Sequence, residues 1–222
     1  MTELYKYLPA NAARSVYNAG RIRIGTLYGY RNVELFGTGV GDRDEGKRID
    51  WSRDPNIKTG DQLNAVERQT MRIPSSMVVC NNSLEVHVNS PDYYILSFSR
   101  VLNPEIAAGL SRQCSEKYDS CIQIVDVNGL LREISKKMVE FARFYGIHTC
   151  VYRPRRRCHG EEEIPPALLK DPTYKYQSEV RAIWSSIAGI PTPRFVDIEN
   201  ARKFYGGTWR IRGQVFNLAV VE

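Results

Sequence analysis

Tyr93-Tyr94-Ile95-Leu96-Ser97-Phe98-Ser99 is the stretch on which the fold class turns. An aromatic and aliphatic run closes on two serines that share one face, with Phe98 on the other, which is the pattern of a strand. β signals continue on either side. Met77-Val78-Val79-Cys80 and Leu84-Glu85-Val86-His87-Val88 flank Asn81-Asn82-Ser83, a good turn composition. Asp119 to Val125 reads as another strand, and more are expected near Ile147 to Tyr152, Val180 to Trp184, Phe195 to Ile198, and twice within Thr208 to Val221. At the start of the chain Leu4-Tyr5-Lys6-Tyr7-Leu8 alternates and Pro9 ends it. Arg21-Ile22-Arg23-Ile24-Gly25 alternates basic against apolar, so both arginines take one face. Helical spacing occurs in Ala10 to Ala19, stopped by Gly20, and in Asn128 to Phe144, where Leu131, Ile134, Met138, Phe141 and Ala142 share a face. Many strands with two or three helices predict an α+β fold with a mostly antiparallel sheet. No linker or repeat divides residues 1–222, which predicts one domain. Gly37 to Gly46, with the turns Asp54-Pro55 and Gly60-Asp61, reads as part of a long mobile connection, of the kind that often carries function.

Composition narrows the function classes. The chain has 222 residues and a net charge of +6, from 31 Lys+Arg against 25 Asp+Glu. It is neither collagenous nor disordered in type. No apolar run approaches the roughly 20 residues that span a bilayer. The opening residues show no cationic segment followed by an apolar one, so a cytoplasmic protein is expected. Five scattered cysteines without a CxxC pair, and three histidines, predict reduced thiols and no metal site; Cys150, Cys158 and His159 are the one set a fold could gather, without paired ligand spacing to support it. The glycines match neither GxGxxG nor the Walker sequence. A basic chain with 13 tyrosines suits phosphate-bearing ligands, whether nucleotides or nucleic acid.

Three constellations carry candidate chemistry. Arg21 and Arg23 on one strand face can fork onto a phosphate or pyrophosphate, or simply be solvated. Ser97 and Ser99 at a strand end can orient a carboxylate and a ribose hydroxyl. In Tyr174-Lys175-Tyr176-Gln177-Ser178-Glu179-Val180-Arg181 a loop runs into a strand, and Gln177 and Glu179, two apart, are expected on one face.

The order of Arg, Ser-x-Ser and Gln-x-Glu resembles the R-S-E class of ADP-ribosyltransferases. The resemblance assigns Arg23, or Arg21, as the first-strand arginine, Ser97-Phe98-Ser99 as the serine motif with Phe98 where the family has Thr, and Gln177-Ser178-Glu179 as the later turn. The chain also resembles a group of uncharacterised bacterial domains of phage-defence or toxin type, which open on a Tyr-Lys-Tyr-like strand and end a strand on Phe-Ser. Their closing strand carries Glu-x-x-Arg, here Glu179 and Arg181 at shorter spacing. The resemblance implies a split antiparallel sheet, NAD as substrate without a metal, and an inhibitor or antitoxin protein as a candidate partner.

On that resemblance Glu179 is the catalytic carboxylate, with Ser97 or Ser99 supporting it. It would stabilise the oxocarbenium character that develops on the ribose as nicotinamide leaves. Arg23 or Arg21 would hold the pyrophosphate, and Tyr28, Tyr30 or Phe98 would pack on nicotinamide. Gln177 would meet the acceptor, its amide suiting an asparagine side chain or a nucleobase edge. Arg155, Arg156 and Arg157, in the run before Glu161 to Glu163, read as a surface loop able to contact a phosphate backbone. A nucleic-acid acceptor is therefore expected over a protein one. The alternatives are a transferase acting on a protein side chain and a non-catalytic nucleic-acid-binding module. Glu179→Gln is expected to cost activity with little change in melting temperature.

Overall fold

The computed structural model describes residues 3–54, 58–59, 78–79, 82–112, 116–158, 161–187, 189–212 and 215–219. Strand β1 (Leu4–Leu8), helix α1 (Ala10–Ala19) and strand β2 (Arg21–Thr26) follow one another as the sequence predicts. Helix α1 stops at Gly20, which adopts φ 65° and donates its N–H back to the last turn. A Cβ there would lie 2.0 Å from the Ile198 carbonyl oxygen, so glycine is needed for the left-handed conformation and for the close approach.

Strand β7 (Tyr93–Ser99) is central. One edge pairs along its length with β13 (Glu179–Ser186), placing Ser97 opposite Arg181 and Ser99 opposite Glu179. The other edge divides: Tyr94 and Ile95 pair with β2, whereas Ser99 pairs with β1. The β2 arm ends in β14 (Arg194–Asp197). The β1 arm continues through β8 (Ser120–Ile124), β15 (Tyr205–Arg212) and β16 (Val215–Ala219). Strand β9 (Ala142–Thr149) covers the outer edge of β13, and all pairings in this nine-stranded sheet are antiparallel. Outside it, β3 (Lys47–Asp54) pairs antiparallel with β6 (Asn82–Asn89) and parallel with β11 (Arg156–Cys158). The short β10 (Val151–Tyr152) and β12 (Leu169–Lys170) pair parallel, and β4 (Lys58–Thr59) pairs antiparallel with β5 (Val78–Val79).

The fold is thus α+β with a mostly antiparallel sheet. Four α-helices are present among the described residues, where two or three were expected: α1, α2 (Val33–Val40), α3 (Pro104–Leu110) and α4 (Val127–Met138). Helix α2 crosses Gly37 at φ 68° and ψ 167°, a break that hides its periodicity. Helix α3 carried its signal in Asn103, whose side chain accepts the Glu105 N–H, and in Pro104 within the first turn. The core joins Leu130, Leu131, Ile134 and Met138 of α4 to Ile24, Leu96, Ile122 and Trp184 of the sheet. Each such side chain contributes about 1.5–3 kcal/mol when fully buried. No helix among the described residues is long and apolar enough to cross a membrane.

Three local expectations are corrected. The second long helix ends at Met138 instead of Phe144, because from Ala142 the chain pairs with β13, and edge pairing outcompetes the continuing helical periodicity. The stretch from Gly37 is no open connection: α2 and β3 occupy most of residues 33–54. The two strands flanking Asn81-Asn82-Ser83 do not pair with each other, since β5 joins β4 and β6 joins β3. Cys80, Asn81, Cys114 and His159 lie outside the described residues.

Candidate active site

A cavity of about 620 Å³ is lined from both arms of the divided sheet. Lys6 of β1 and Arg23 of β2 meet Ser97 of β7, with Gln177 and Glu179 at the start of β13. The volume suits a ligand of nucleotide or dinucleotide size.

Glu179 arrives there through an unusual turn. Residues Pro172–Gln177 form a 3-10 helix that ends on Ser178, a non-glycine residue at φ 46° and ψ 47°. That left-handed residue redirects the chain into β13, so Gln177 and Glu179 both line the cavity although only Glu179 belongs to the strand. The Glu179 N–H donates to the Tyr152 hydroxyl at 2.6 Å, which fixes the first peptide of the strand.

The carboxylate is held on three sides. Oε1 accepts from Ser97 Oγ at 2.6 Å and from Arg181 Nε at 2.8 Å, and Oε2 accepts from Lys170 Nζ at 2.5 Å. Arg181 turns its two terminal nitrogens to Glu45, at 2.9 Å each, and donates to the Ala167 carbonyl. Lys170 also donates to Gln177 Oε1 at 2.6 Å, and Gln177 Nε2 donates to the Gly39 carbonyl at 2.7 Å. Glu45, Lys170, Gln177, Glu179 and Arg181 are all buried. Burial alone would push the Glu179 carboxyl up, but Arg181 and Lys170 outweigh it and hold the group well below the usual carboxylate range. Glu179 is therefore ionised at neutral pH. A carboxylate offers about four acceptor positions. Three are filled, which leaves one on Oε2 for a hydroxyl donor.

The sequence-predicted residues divide. Arg23, Tyr30, Ser97, Phe98, Gln177 and Glu179 line the cavity together. The Arg23 guanidinium lies over the Phe36 ring, 5.3 Å from its centroid, and makes no hydrogen bond or ion pair among the described residues. Arg21 also borders the cavity but is half-exposed, over Phe195 and 3.9 Å from Asp197. Of the two serines, Ser97 reaches Glu179, while Ser99 Oγ bonds the Val101 backbone and serves the strand end. Tyr28 is not among the residues lining the cavity; its hydroxyl donates to the Ser90 carbonyl at 2.6 Å and its ring carries Arg31.

The acceptor-side residues also differ from expectation. Gln177 has both amide atoms engaged inside the protein. The expected arginine loop is partly strand β11, and its guanidiniums are used internally. Arg155 pairs with Asp42 and reaches the Lys47 carbonyl, Arg157 pairs with Asp50 at 3.0 Å, and Arg156, half-exposed over Trp51, pairs with Glu85.

Lys6, Glu45, Lys170 and Arg181, all at the cavity, escaped the sequence reading as site residues. Arg181 did leave a trace, because a charge alternating with Glu179 inside Val180, Ala182, Ile183 and Trp184 can only be buried if paired. Glu45 and Lys170 carried no such mark, since their role comes from partners more than a hundred residues away or across a turn. No family model, curated protein or solved structure matches the chain at a significant level.

Proposed function

We propose that the chain is an ADP-ribosyltransferase that cleaves the nicotinamide–ribose bond of NAD and passes ADP-ribose to a macromolecule. The observation that carries this reading is the convergence of Ser97-supported Glu179 and the unpaired Arg23 on one cavity. In this reading Arg23 takes the pyrophosphate, Tyr30 packs near nicotinamide, and the free lone pair on Glu179 Oε2 accepts the ribose 2′-hydroxyl. The negative charge of Glu179 then favours the positive charge that grows at ribose C1′. The C1′–N bond breaks with its electron pair leaving on nicotinamide, and the acceptor nucleophile attacks C1′ and releases its proton to solvent. A nucleic-acid base is the first acceptor to examine, on the net charge of +6. Gln177, Arg155 and Arg157 do not add to that preference, because their polar atoms are engaged internally.

The reading is tested with labelled NAD and separate pools of RNA, DNA and protein. Label transferred to one pool with nicotinamide released supports it, and NAD neither cleaved nor bound overturns it. NAD should also raise the melting temperature, by the equivalent of about 2.7 kcal/mol at a hundredfold excess over Kd.

Two variants extend the test. Ser97→Ala removes a hydrogen bond to a charged group, so kcat/KM for NAD cleavage should fall about 10- to 100-fold, while Ser99→Ala stays within severalfold of the parent. Arg23→Lys keeps the charge but loses the planar fork, so NAD should bind more weakly as measured by calorimetry. If Arg21→Lys weakens binding and Arg23→Lys does not, the phosphate subsite lies nearer the exposed end of β2.

A further inference from the structure

We infer that Lys6 is a second phosphate-binding residue of the cavity, forming with Arg23 a two-cation subsite for the pyrophosphate of a dinucleotide or a nucleoside diphosphate derivative. This rests on the reading of the cavity as a nucleotide site. It goes beyond that reading by adding a residue and a pH dependence.

The argument begins with charge balance. Four buried or half-buried cations line the cavity, Lys6, Arg23, Lys170 and Arg181, against two buried carboxylates, Glu45 and Glu179. Both Glu45 oxygens are taken by Arg181, and Glu179 is shared between Arg181 and Lys170. Those four groups therefore neutralise one another and leave Lys6 and Arg23 without an ion-pair partner among the described residues. Arg21 and Glu116, which also line the cavity and are exposed, add one charge of each sign.

Lys6 also has donors to spare. One N–H of its three goes to the Ser97 carbonyl at 2.7 Å, and its ammonium lies 6.0 Å from the Phe98 ring centroid. The charges acting on it are Glu179 from β13 and Arg23 from β2. Strand β7 offers the Ser97 carbonyl and the Phe98 ring, and β8 sets Ile122 opposite it. An ammonium with free donors beside an unpaired guanidinium is an arrangement that a doubly anionic group completes.

The energetic signature agrees. Burial, with Arg23 adding to it and Glu179 opposing, lowers Lys6 to about 8. Lys6 is then charged at neutral pH and loses its proton in the mildly alkaline range. Tyr30 and Tyr7, which share the cavity, are pushed up by burial and stay protonated there. A bound anion favours the charged amine, so the affinity that Lys6 contributes is present below its pKa and lost as pH rises through it. In the ligand-free protein the sign reverses. The unfolded chain holds this proton more tightly, so the positive charge of Lys6 lowers stability at neutral pH.

The experiment is calorimetric titration with NAD and with ADP-ribose, from pH 7 to about 9.5, on the parent, Lys6→Met and Lys6→Arg. The parent should lose about tenfold in affinity over that range. Lys6→Met should bind about tenfold more weakly at pH 7, with the pH dependence gone, and should melt higher than the parent when ligand-free. Lys6→Arg should restore affinity and show no pH dependence. If Lys6→Met binds as tightly as the parent, or keeps the parent's pH slope, Lys6 has no part in phosphate binding, and the NAD reading survives. If ADP-ribose binds with the Lys6-dependent slope but NAD is never cleaved, the subsite stands and the transferase reading falls. If neither ligand binds at any pH, both fall.

Discussion

Glu179→Gln should lower NAD turnover on the order of 10²–10³-fold, the loss seen when one preorganised electrostatic group is removed. The glutamine keeps the shape and can still accept from Ser97, but it no longer presents a negative charge to the ribosyl cation. The expectation that its melting temperature would barely change does not survive the structure. Lys170 and Arg181 both use this carboxylate and are buried with it. Neutralising it leaves a surplus positive charge in the interior, and breaking a buried ion pair from one side costs about 3–5 kcal/mol. The variant should therefore melt lower and be assayed well below its transition. A variant still folded, still binding NAD and turning it over at the parental rate would remove Glu179 from the mechanism. Loss of turnover together with loss of NAD binding would instead point to collapse of the cavity, and would be read against Ser97→Ala.

The second large effect concerns the Glu45–Arg181 pair. Arg181→Met should destabilise the protein by about 3–5 kcal/mol, because buried Glu45 would lose its ion-pair partner and Glu179 would keep only Lys170 of its two. Glu45→Leu alone should also destabilise, since Arg181 then has only half its partners. The double variant removes one charge of each sign and leaves Lys170 paired with Glu179. It should be distinctly more stable than the sum of the single effects implies, with a coupling of up to about 3 kcal/mol by chemical denaturation. Additivity to within about 0.5 kcal/mol would show that the two side chains do not act as a unit.

The same network explains why the segment from Gly37 to Gly46 misled a reading by composition. Its glycines and acidic residues look like solvent-facing loop. Gly39 is in fact packed so closely that an added Cβ would lie 2.2 Å from the Gly109 carbonyl oxygen, and its own carbonyl accepts from Gln177. Glu45 follows as a buried counter-ion. A loop composition describes residues able to turn; it does not say whether a distant strand needs their backbone and charge.

Local chemistry was enough to settle much of the chain. Alternation placed β1 and β2, apolar runs placed β7 and β13, helical spacing with a glycine stop set α1, and the strand period put Ser97 and Ser99 on one face. These features depend on neighbours a few residues apart, so the sequence by itself determined an α+β chain with a mostly antiparallel sheet, while the resemblance grouped Arg23 or Arg21, Ser97 or Ser99, and Glu179 as a set without choosing between the alternatives. Tertiary structure alone decided which serine meets the carboxylate, because Ser97 and Ser99 differ only in register against β13. It decided that Lys6, Glu45, Lys170 and Arg181 join them, and that Arg155 and Arg157 are spent holding β11 to its neighbours. The physical reason is that a charged side chain has no local preference that reveals its partner. Whether it is solvated, paired or left facing a cavity is fixed by which opposite charge the folded sheet brings within a few ångströms, and in the Glu45–Arg181 pair that partner lies 136 residues away.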